Sequence, residues 1–171
     1  MVKNEEYYFH QTPEQLAIKL IDEIDLIEGD TVLEPFKGEG SFYNNLPNYV
    51  IKHYTEIEEG LDYKDFNIDV DWVISNPPFK LDNNESKKRV NAFYYIIEYY
   101  SLRVNKGIAF LANDYCLSSL TPIRLKKLKE NNLYLHKIVV CNIKKWRSRY
   151  FFIIFKKNEP SSLFNYIEGS F

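Results

Sequence analysis

Residues 31–42 read TVLEPFKGEGSF, a short apolar run followed by a proline and a loop with two glycines. The first three residues have the composition of a buried strand, and Gly38 and Gly40 lie in the loop that follows. Glycine adopts positive φ at little cost and lets a ligand approach backbone N–H groups closely. The loop lacks the third glycine of a dinucleotide fingerprint and the Gly-Lys-Ser/Thr end of a phosphate loop, so on its own it indicates either a simple turn or a small-ligand site.

Two acidic residues lie close to the predicted ends of strands in this region. Glu34 directly follows the first strand, and a carboxylate beside the loop favours a cationic ligand over a phosphate. Glu56 ends a predicted strand 22 residues later, where an acid can accept hydrogen bonds from a ribose diol. The alternative is that Glu56 is one of several solvated acids in its segment.

The rest of the chain alternates helical and strand patterns. We predict helices over residues 12–27, 88–104 and 121–130, a short helix after Ser41, and strands over residues 31–33, 50–57, 70–74, 107–112, 135–141 and 150–155. Thr12 is the predicted cap of the first helix, and Pro13 suits its first turn. The last two strands form a predicted pair around a basic loop. This alternation predicts an α/β fold with a largely parallel sheet and a crevice at the carboxyl ends of its strands.

Length and composition narrow the class of protein. The 171 residues fit one domain of about 100–200 residues, so we expect a single domain over residues 1–171. With 45% hydrophobic residues the chain can bury a full core, which excludes global disorder. Two cysteines and three histidines without ligand spacing predict no metal and a reduced, cytoplasmic location. No apolar run approaches the roughly 18 residues of a membrane span.

Charge is divided unevenly along the chain, although the formal net charge is only -2. Residues 1–85 carry 6 Lys and Arg against 19 Asp and Glu, whereas residues 86–157 carry 16 against 3. A basic half of this kind indicates either a face for an anionic polymer or charges spread over solvated surfaces.

Residues 70–79, VDWVISNPPF, are the most specific stretch of the sequence. An apolar strand precedes two prolines, which must stop it because neither has an N–H to donate. An aromatic exocyclic amine or a side-chain amide is a poor nucleophile because its lone pair is delocalised. The Asn76 side-chain oxygen and the Pro77 carbonyl can each accept a hydrogen bond from one N–H of such a group. These two bonds would orient the nitrogen lone pair and stabilise the positive charge that grows on nitrogen. Pro77 and Pro78 stiffen the loop, and Phe79 can stack on a planar acceptor. The alternative is a rigid turn after a buried strand.

Together these motifs resemble the S-adenosylmethionine-dependent amino-methyltransferases, especially the DNA adenine-N6 type with Asn-Pro-Pro-Phe or Asn-Pro-Pro-Tyr. The chain looks like a small phage- or mobile-element-type member, and the resemblance extends from Tyr8 to Lys157. It implies a Rossmann-like fold with a seven-stranded, mostly parallel sheet, a C-terminal antiparallel hairpin and helices on both faces. It also implies S-adenosylmethionine as cofactor and methylation of the N6 amine of adenine in nucleic acid, with DNA preferred over RNA.

The resemblance also implies roles for individual residues. The catalytic motif is Asn76, Pro77, Pro78 and Phe79. The implied cofactor-binding residues are Thr12, Pro13, Glu34, Pro35, Phe36, Gly38, Gly40, Glu56, Ile57, Asp62, Tyr63 and Asn76. Glu56 matches the acid that binds the ribose, and the Asp62-Tyr63 pair matches the contact to the cofactor adenine. Asp65-Phe66 is an alternative for that contact, although the 14 residues from Asp62 to Asn76 fit the family's spacing better.

Residues 142–152 mix positive charge with aromatic rings, as does the segment that lines the target-base pocket in the resembled family. The predicted nucleic-acid-binding residues are Lys144, Lys145, Trp146, Arg147, Arg149 and Tyr150. The alternative is a hairpin with an exposed basic turn and Trp146 packed in the core.

One departure from the family concerns target selection. Sequence-specific members usually carry an additional target-recognition region, and no long insertion lies between Phe79 and Lys157. We therefore expect low sequence selectivity, selectivity from a few loop residues, or a partner protein or homodimer that supplies it. A ribosomal RNA or protein-glutamine methyltransferase, or a non-catalytic nucleic-acid-binding protein, remains an alternative.

Overall fold

A computed structural model describes residues 11–78, 80–82, 89–144, 146 and 148–161 of the chain. The central sheet consists of β1 (Thr31–Glu34), β2 (Ile51–Tyr54), β3 (Val70–Ser75), β6 (Val104–Asn113), β7 (Leu133–Cys141) and β8 (Tyr150–Lys157). A separate antiparallel ribbon consists of β4 (Lys80–Asp82) and β5 (Arg89–Asn91). The helices are α1 (Glu14–Ile21), α2 (Ala92–Tyr100), α3 (Asp114–Ser118) and α4 (Pro122–Glu130), and single 3₁₀ turns span Tyr43–Asn45 and Ile57–Glu59.

The six strands of the central sheet follow the order β2-β1-β3-β6-β8-β7. The first four are parallel, and β8 runs antiparallel to both β6 and β7. This arrangement confirms the predicted α/β fold with a mostly parallel sheet and a final antiparallel hairpin.

The central sheet has six strands among the described residues, where the resemblance implied seven. The chain passes from β2 to β3 through residues 55–69, all of which are described and contain one 3₁₀ turn and irregular turns. A parallel crossover with its helix needs at least about 10–12 residues, so this segment is too short for two crossovers and a further strand. Within the described ranges, β2 is therefore the edge strand on this side of the sheet.

Alternation along the strands divides the core between the two faces of the sheet. Trp72 and Ile74 belong to the apolar cluster that includes Ala17 of α1, whereas Val73 belongs to the cluster that includes Phe93 of α2. Successive side chains of a strand point to opposite faces, so one sheet carries both clusters. Helices cover both faces, as predicted.

The first helix differs from the prediction at both ends. Its N-cap is Pro13, without a side-chain cap, so the predicted capping by Thr12 is wrong. The helix ends at Ile21 instead of residue 27. Acidic residues at positions 22, 23 and 25 follow that end, and negative charge is unfavourable at the carboxyl end of a helix dipole.

Of the predictions for the other helices, one is wrong and one is confirmed at its start. The predicted helix over residues 88–104 is wrong at both ends, because α2 covers only Ala92–Tyr100. Residues 89–91 pair with β4, residues from 104 onward belong to β6, and residue 88 lies outside the described residues. The start of α4 is confirmed: Pro122 occupies the first turn, and the Thr121 hydroxyl accepts the Arg124 N–H at 3.4 Å. Within the described ranges, no helix has the length and apolar character needed to cross a bilayer.

Ion pairs join the acidic and basic halves of the sequence. They link Lys106 to Asp30 (2.5 Å), Lys137 to Glu23 (2.5 Å) and Lys156 to Asp25 (2.7 Å). All three acids lie between α1 and β1, and all three lysines lie on β6, β7 or β8. Part of the charge asymmetry is thus neutralised within the molecule.

Candidate active site

The two most specific motifs of the sequence lie at the same edge of the sheet. The strand register aligns Glu34 with Tyr54, Leu33 with Val73, and Ser75 with Phe110. The carboxyl ends of β1, β2 and β3 therefore lie side by side, and open α/β sheets bind their ligands at this edge. The glycine loop follows β1, and the Asn-Pro-Pro loop follows the adjacent strand β3.

The glycine loop depends on glycine for its backbone shape. Gly38 and Gly40 have φ values of 51° and 81°, which favour glycine. A Cβ atom on Gly40 would lie 2.9 Å from Nδ2 of Asn44, closer than a normal contact. The Gly40 N–H donates to the Lys37 carbonyl at 2.8 Å, and the Gly40 carbonyl accepts from the Asn44 N–H at 2.9 Å. Position 40 therefore needs glycine for its conformation, and a larger residue would also displace the Asn44 side chain.

Glu34 stabilises the glycine loop through a hydrogen bond from a buried position. Its carboxylate is buried, and Oε2 accepts the Tyr43 N–H at 2.7 Å. Burial raises the pKa of Glu34 from 4.5 to about 8, while the Tyr43 N–H opposes that shift. The protonated form therefore predominates at neutral pH, and a cationic ligand brought close to Glu34 would favour ionisation.

Glu56 lies directly against the glycine loop. Its Oε2 accepts the Gly38 N–H at 2.5 Å, and its Oε1 accepts the Glu58 N–H at 3.2 Å. A carboxylate oxygen has two lone pairs, so each oxygen can still accept a hydroxyl hydrogen. The neighbouring Ile57 is exposed. Glu56 is therefore tied to the glycine loop and is not a purely solvated acid.

The segment predicted to contact the cofactor adenine lies beside the loop as well. Tyr63 is 7% exposed, and its ring centroid lies 5.1 Å from that of Phe36. Its hydroxyl is buried without a hydrogen-bond partner. The Asp62 carboxylate accepts the Lys64 N–H at 2.9 Å. The ring centroid of Phe66, from the alternative pair, lies 5.4 Å from that of His53.

Two further contacts attach the N-terminal segment and Pro35 to the loop region. The Ser41 hydroxyl donates to the Thr12 carbonyl at 2.7 Å, which brings Thr12 and Pro13 against the glycine loop. The Thr55 hydroxyl donates to the Pro35 carbonyl at 2.8 Å, a buried bond that continues the pairing of β1 and β2 beyond their ends.

The Asn-Pro-Pro loop is anchored in the core and opens toward solvent. Ser75 and Pro77 are buried, whereas Asn76 and Pro78 are half-buried. Part of the Asn76 surface is therefore exposed at this edge of the sheet. The predicted role of Phe79 falls on a residue outside the described ones.

The basic aromatic segment reaches the same edge, because Tyr150 at the start of β8 pairs with Asn113 at the end of β6. Trp146 is half-buried and meets Tyr150 edge-on at 4.3 Å. Tyr150 is 2% exposed, so its side chain supports Trp146 and is not available to a polymer, which corrects its expected role. Lys144 and Arg149 are exposed, and Lys145 and Arg147 lie outside the described residues.

The edge of the sheet at the carboxyl ends of its parallel strands, the carboxyl edge, also includes residues that had not been predicted. The Asn113 side chain accepts the Cys116 N–H at 3.0 Å and caps α3. The Asp114 N–H donates to the Arg149 carbonyl at 3.1 Å, and Tyr115 is 59% exposed. Polar residues directly after a buried strand were the signal that could have identified them. In the part of the chain that the structure describes, no cluster of three or more His, Cys, Asp or Glu side chains is placed to hold a metal.

Comparison with known proteins finds similarity in structure alone. No protein-family model and no curated protein matches the sequence. Among solved structures, a protein from Listeria monocytogenes assigned as a class I S-adenosylmethionine-dependent methyltransferase matches with a TM-score of 0.67 and 15% identity, over 89% of this chain and 63% of that one.

Two further solved structures are also similar to this chain. A protein from Vibrio vulnificus YJ016, assigned as a modification subunit of a type I restriction enzyme, has a TM-score of 0.64 and 14% identity, over 88% of this chain and 45% of that one. The Mtq2–Trm112 complex of E. cuniculi, which methylates the translation termination factor eRF1, has a TM-score of 0.59 and 16% identity, over 88% and 98%. This chain thus spans about half the length of the restriction-enzyme subunit. It has the Rossmann-like methyltransferase fold.

Proposed function

We propose that this chain is an S-adenosylmethionine-dependent methyltransferase that methylates the exocyclic N6 amine of adenine in nucleic acid, with DNA preferred. The observation that carries the proposal is the placement of the glycine loop and the Asn-Pro-Pro loop at the ends of two adjacent strands, β1 and β3. One bound cofactor can then face one acceptor group. The fold and its similarity to methyltransferases support the class of reaction.

The residues around the glycine loop fit this cofactor. The backbone of Gly38 and Gly40 permits close approach, Glu56 offers acceptor lone pairs to a ribose diol, and Asp62-Tyr63 borders the space where an adenine would lie. The unpartnered Tyr63 hydroxyl is a buried polar group that a ligand or water can satisfy. When bound, S-adenosylmethionine supplies an electrophilic methyl group on a sulfonium.

Asn76 and Pro77 bind and orient the amine that receives the methyl group. The Asn76 side-chain oxygen and the Pro77 carbonyl accept the two N–H bonds of the amine, hold its lone pair toward the methyl group and stabilise positive charge on nitrogen. The buried Ser75 and Pro77 fix the loop, so these acceptors need little reorganisation. No side-chain base is required for the transfer itself.

Nucleic acid is the acceptor that the carboxyl edge favours. Lys144 and Arg149 are exposed there beside the half-buried Trp146, which provides phosphate contacts and a partly accessible ring. We propose that this one catalytic domain selects its target through these loop residues or through a partner. A protein is the second candidate acceptor, because a complex that methylates the translation termination factor eRF1 matches over 98% of its chain. Glutamine is the acceptor group that the sequence resemblance implied for this alternative.

The test is methyl transfer from labelled S-adenosylmethionine to separate pools of DNA, RNA and protein. Products are identified by mass spectrometry of nucleosides and of tryptic peptides. We expect N6-methyl-2′-deoxyadenosine from the DNA pool. Label in glutamine alone contradicts the proposed acceptor, and no label in any pool together with no cofactor binding contradicts the enzyme class.

A further inference from the structure

We propose that Lys37, held by Tyr54 and Glu59, is a positioning residue that keeps the glycine loop in its cofactor-binding shape. The inference rests on the proposed function and adds a residue to which the sequence motifs gave no role. Lys37 lies within the glycine loop, and its two partners lie at the end of β2 and in the 3₁₀ turn beyond it.

The three side chains form one closed cluster. Nζ of Lys37 lies 2.7 Å from Oε1 of Glu59 and 3.7 Å from the centroid of the Tyr54 ring. The Tyr54 hydroxyl donates to Oε2 of Glu59 at 3.0 Å. Each of the three side chains thus contacts the other two. The contacts raise the pKa of Lys37 and lower that of Glu59, so both remain charged at neutral pH.

This Lys37 cluster joins the two pieces of chain that would hold the cofactor. On one side, the backbone N–H of Lys37 donates to the Thr55 carbonyl at 3.2 Å, and the next residue, Gly38, donates to Glu56. On the other side, Glu59 ends the 3₁₀ turn that begins just after Glu56. The cluster therefore fixes the distance between the glycine backbone and the ribose-binding carboxylate.

The cluster also reaches the support beneath the loop. The Tyr54 ring meets the ring of Tyr43 edge-on at 5.0 Å, and the Tyr43 N–H is the donor to Glu34. A loop fixed on both sides before the cofactor arrives loses less conformational freedom on binding, which favours affinity. Lys37 is 17% and Glu59 43% exposed, so the cluster contributes less to the stability of the fold than to this local shape.

The test compares S-adenosylmethionine affinity by calorimetry in wild type, Lys37→Met, Glu59→Gln and the double variant, with thermal midpoints measured alongside. Given the usual strength of an exposed ion pair and a cation–π contact, we expect each single variant to bind about three- to tenfold more weakly. The double variant should bind no more weakly than either single one, because the two residues act as one unit. Lys37→Arg should restore most of the affinity, and thermal midpoints should change little.

A control removes a more exposed ion pair on β7, the edge strand opposite β2. Lys137→Met breaks the contact with Glu23 and should leave cofactor affinity unchanged. Wild-type affinity in Lys37→Met and Glu59→Gln, fully additive losses, or losses explained by a lower thermal midpoint would overturn the inference alone. Failure of the wild type to bind the cofactor would overturn the proposed function and the inference with it.

Discussion

Glu34 illustrates how a single residue derives its chemistry from its position. It ends β1, is buried beneath the glycine loop and accepts the Tyr43 N–H. Its folded pKa of about 8 lies above the value of 4.5 for an exposed glutamate. Between those values the folded state binds more protons than the unfolded state, so the free energy of unfolding should fall as pH rises from about 4.5 to 8.

Glu34→Gln tests this pH dependence. Glutamine keeps an acceptor for the Tyr43 N–H but does not ionise, so the contribution of at most about 1.4 kcal/mol per pH unit should disappear. Urea unfolding of wild type and variant between pH 5 and pH 8 measures the difference. The control Glu28→Gln, at an exposed site, should retain the wild-type slope. Equal slopes in wild type and Glu34→Gln would mean that Glu34 ionises normally.

At the scale of an element, the glycine loop depends on two separate properties of Gly40. Both its φ of 81° and the contact of an added Cβ with Asn44 oppose any larger residue. Gly29 has a nearly identical φ of 85°, but an added Cβ there would meet nothing within 4 Å. The two positions therefore separate backbone strain from crowding of the loop.

Gly40→Ala should weaken S-adenosylmethionine binding at least about tenfold, because the added methyl group strains a φ of 81° within the loop itself and displaces the Asn44 side chain that packs against it. Gly29→Ala should cost similar stability through backbone strain, of the order of 1 kcal/mol, without changing cofactor affinity. Calorimetric affinities and urea midpoints for both variants provide the comparison. If Gly40→Ala binds the cofactor as tightly as Gly29→Ala does, the loop is not the cofactor site.

The elements that the sequence predicted well carry local signals. Thr121 and Pro122 mark the start of α4 because a hydroxyl cap and a first-turn proline act within a single turn. The apolar run before Asn76 marks β3 in the same way. Such features depend on near neighbours in the chain, so a pattern in the sequence is sufficient to find them.

The features that were missed depend on distant partners. The ends of α2 are set by strand pairing of residues 89–91 and by the start of β6, which helical periodicity does not reveal. The Lys37–Glu59 pair joins residues 22 positions apart, and neither residue type is distinctive in a charged segment. The number of strands follows from the length of residues 55–69, which the family resemblance did not take into account.

Across the whole molecule, the fold separates paired from exposed basic residues. Lys106, Lys137 and Lys156 pair with acids between α1 and β1, whereas Lys144 and Arg149 are exposed at the carboxyl edge. The uneven charge of the sequence therefore serves two purposes, internal ion pairing and a candidate phosphate-binding edge.

Lys144→Ala should weaken DNA binding and reduce the dependence of DNA affinity on salt concentration. Loss of one phosphate contact lowers the slope of log affinity against log salt by about 0.9 for duplex DNA. Fluorescence anisotropy at several NaCl concentrations measures the slope. The control Lys126→Ala removes an exposed lysine on α4 and should leave the slope unchanged. Identical slopes for the two variants would place the nucleic-acid face elsewhere.

The central claim is that Asn76 directs methyl transfer from a cofactor held by the glycine loop on the adjacent strand. The most direct measurement is the rate of labelled methyl transfer to DNA by Asn76→Ala, with cofactor affinity measured on the same preparation and Asn48→Ala, in an exposed turn before β2, as control. We predict a rate about 10²- to 10³-fold below wild type, with cofactor affinity changed far less, because the glycine loop, Glu56 and Asp62-Tyr63 retain their proposed cofactor contacts while the stabilisation of charge on the amine is lost. A wild-type rate in Asn76→Ala would contradict the account.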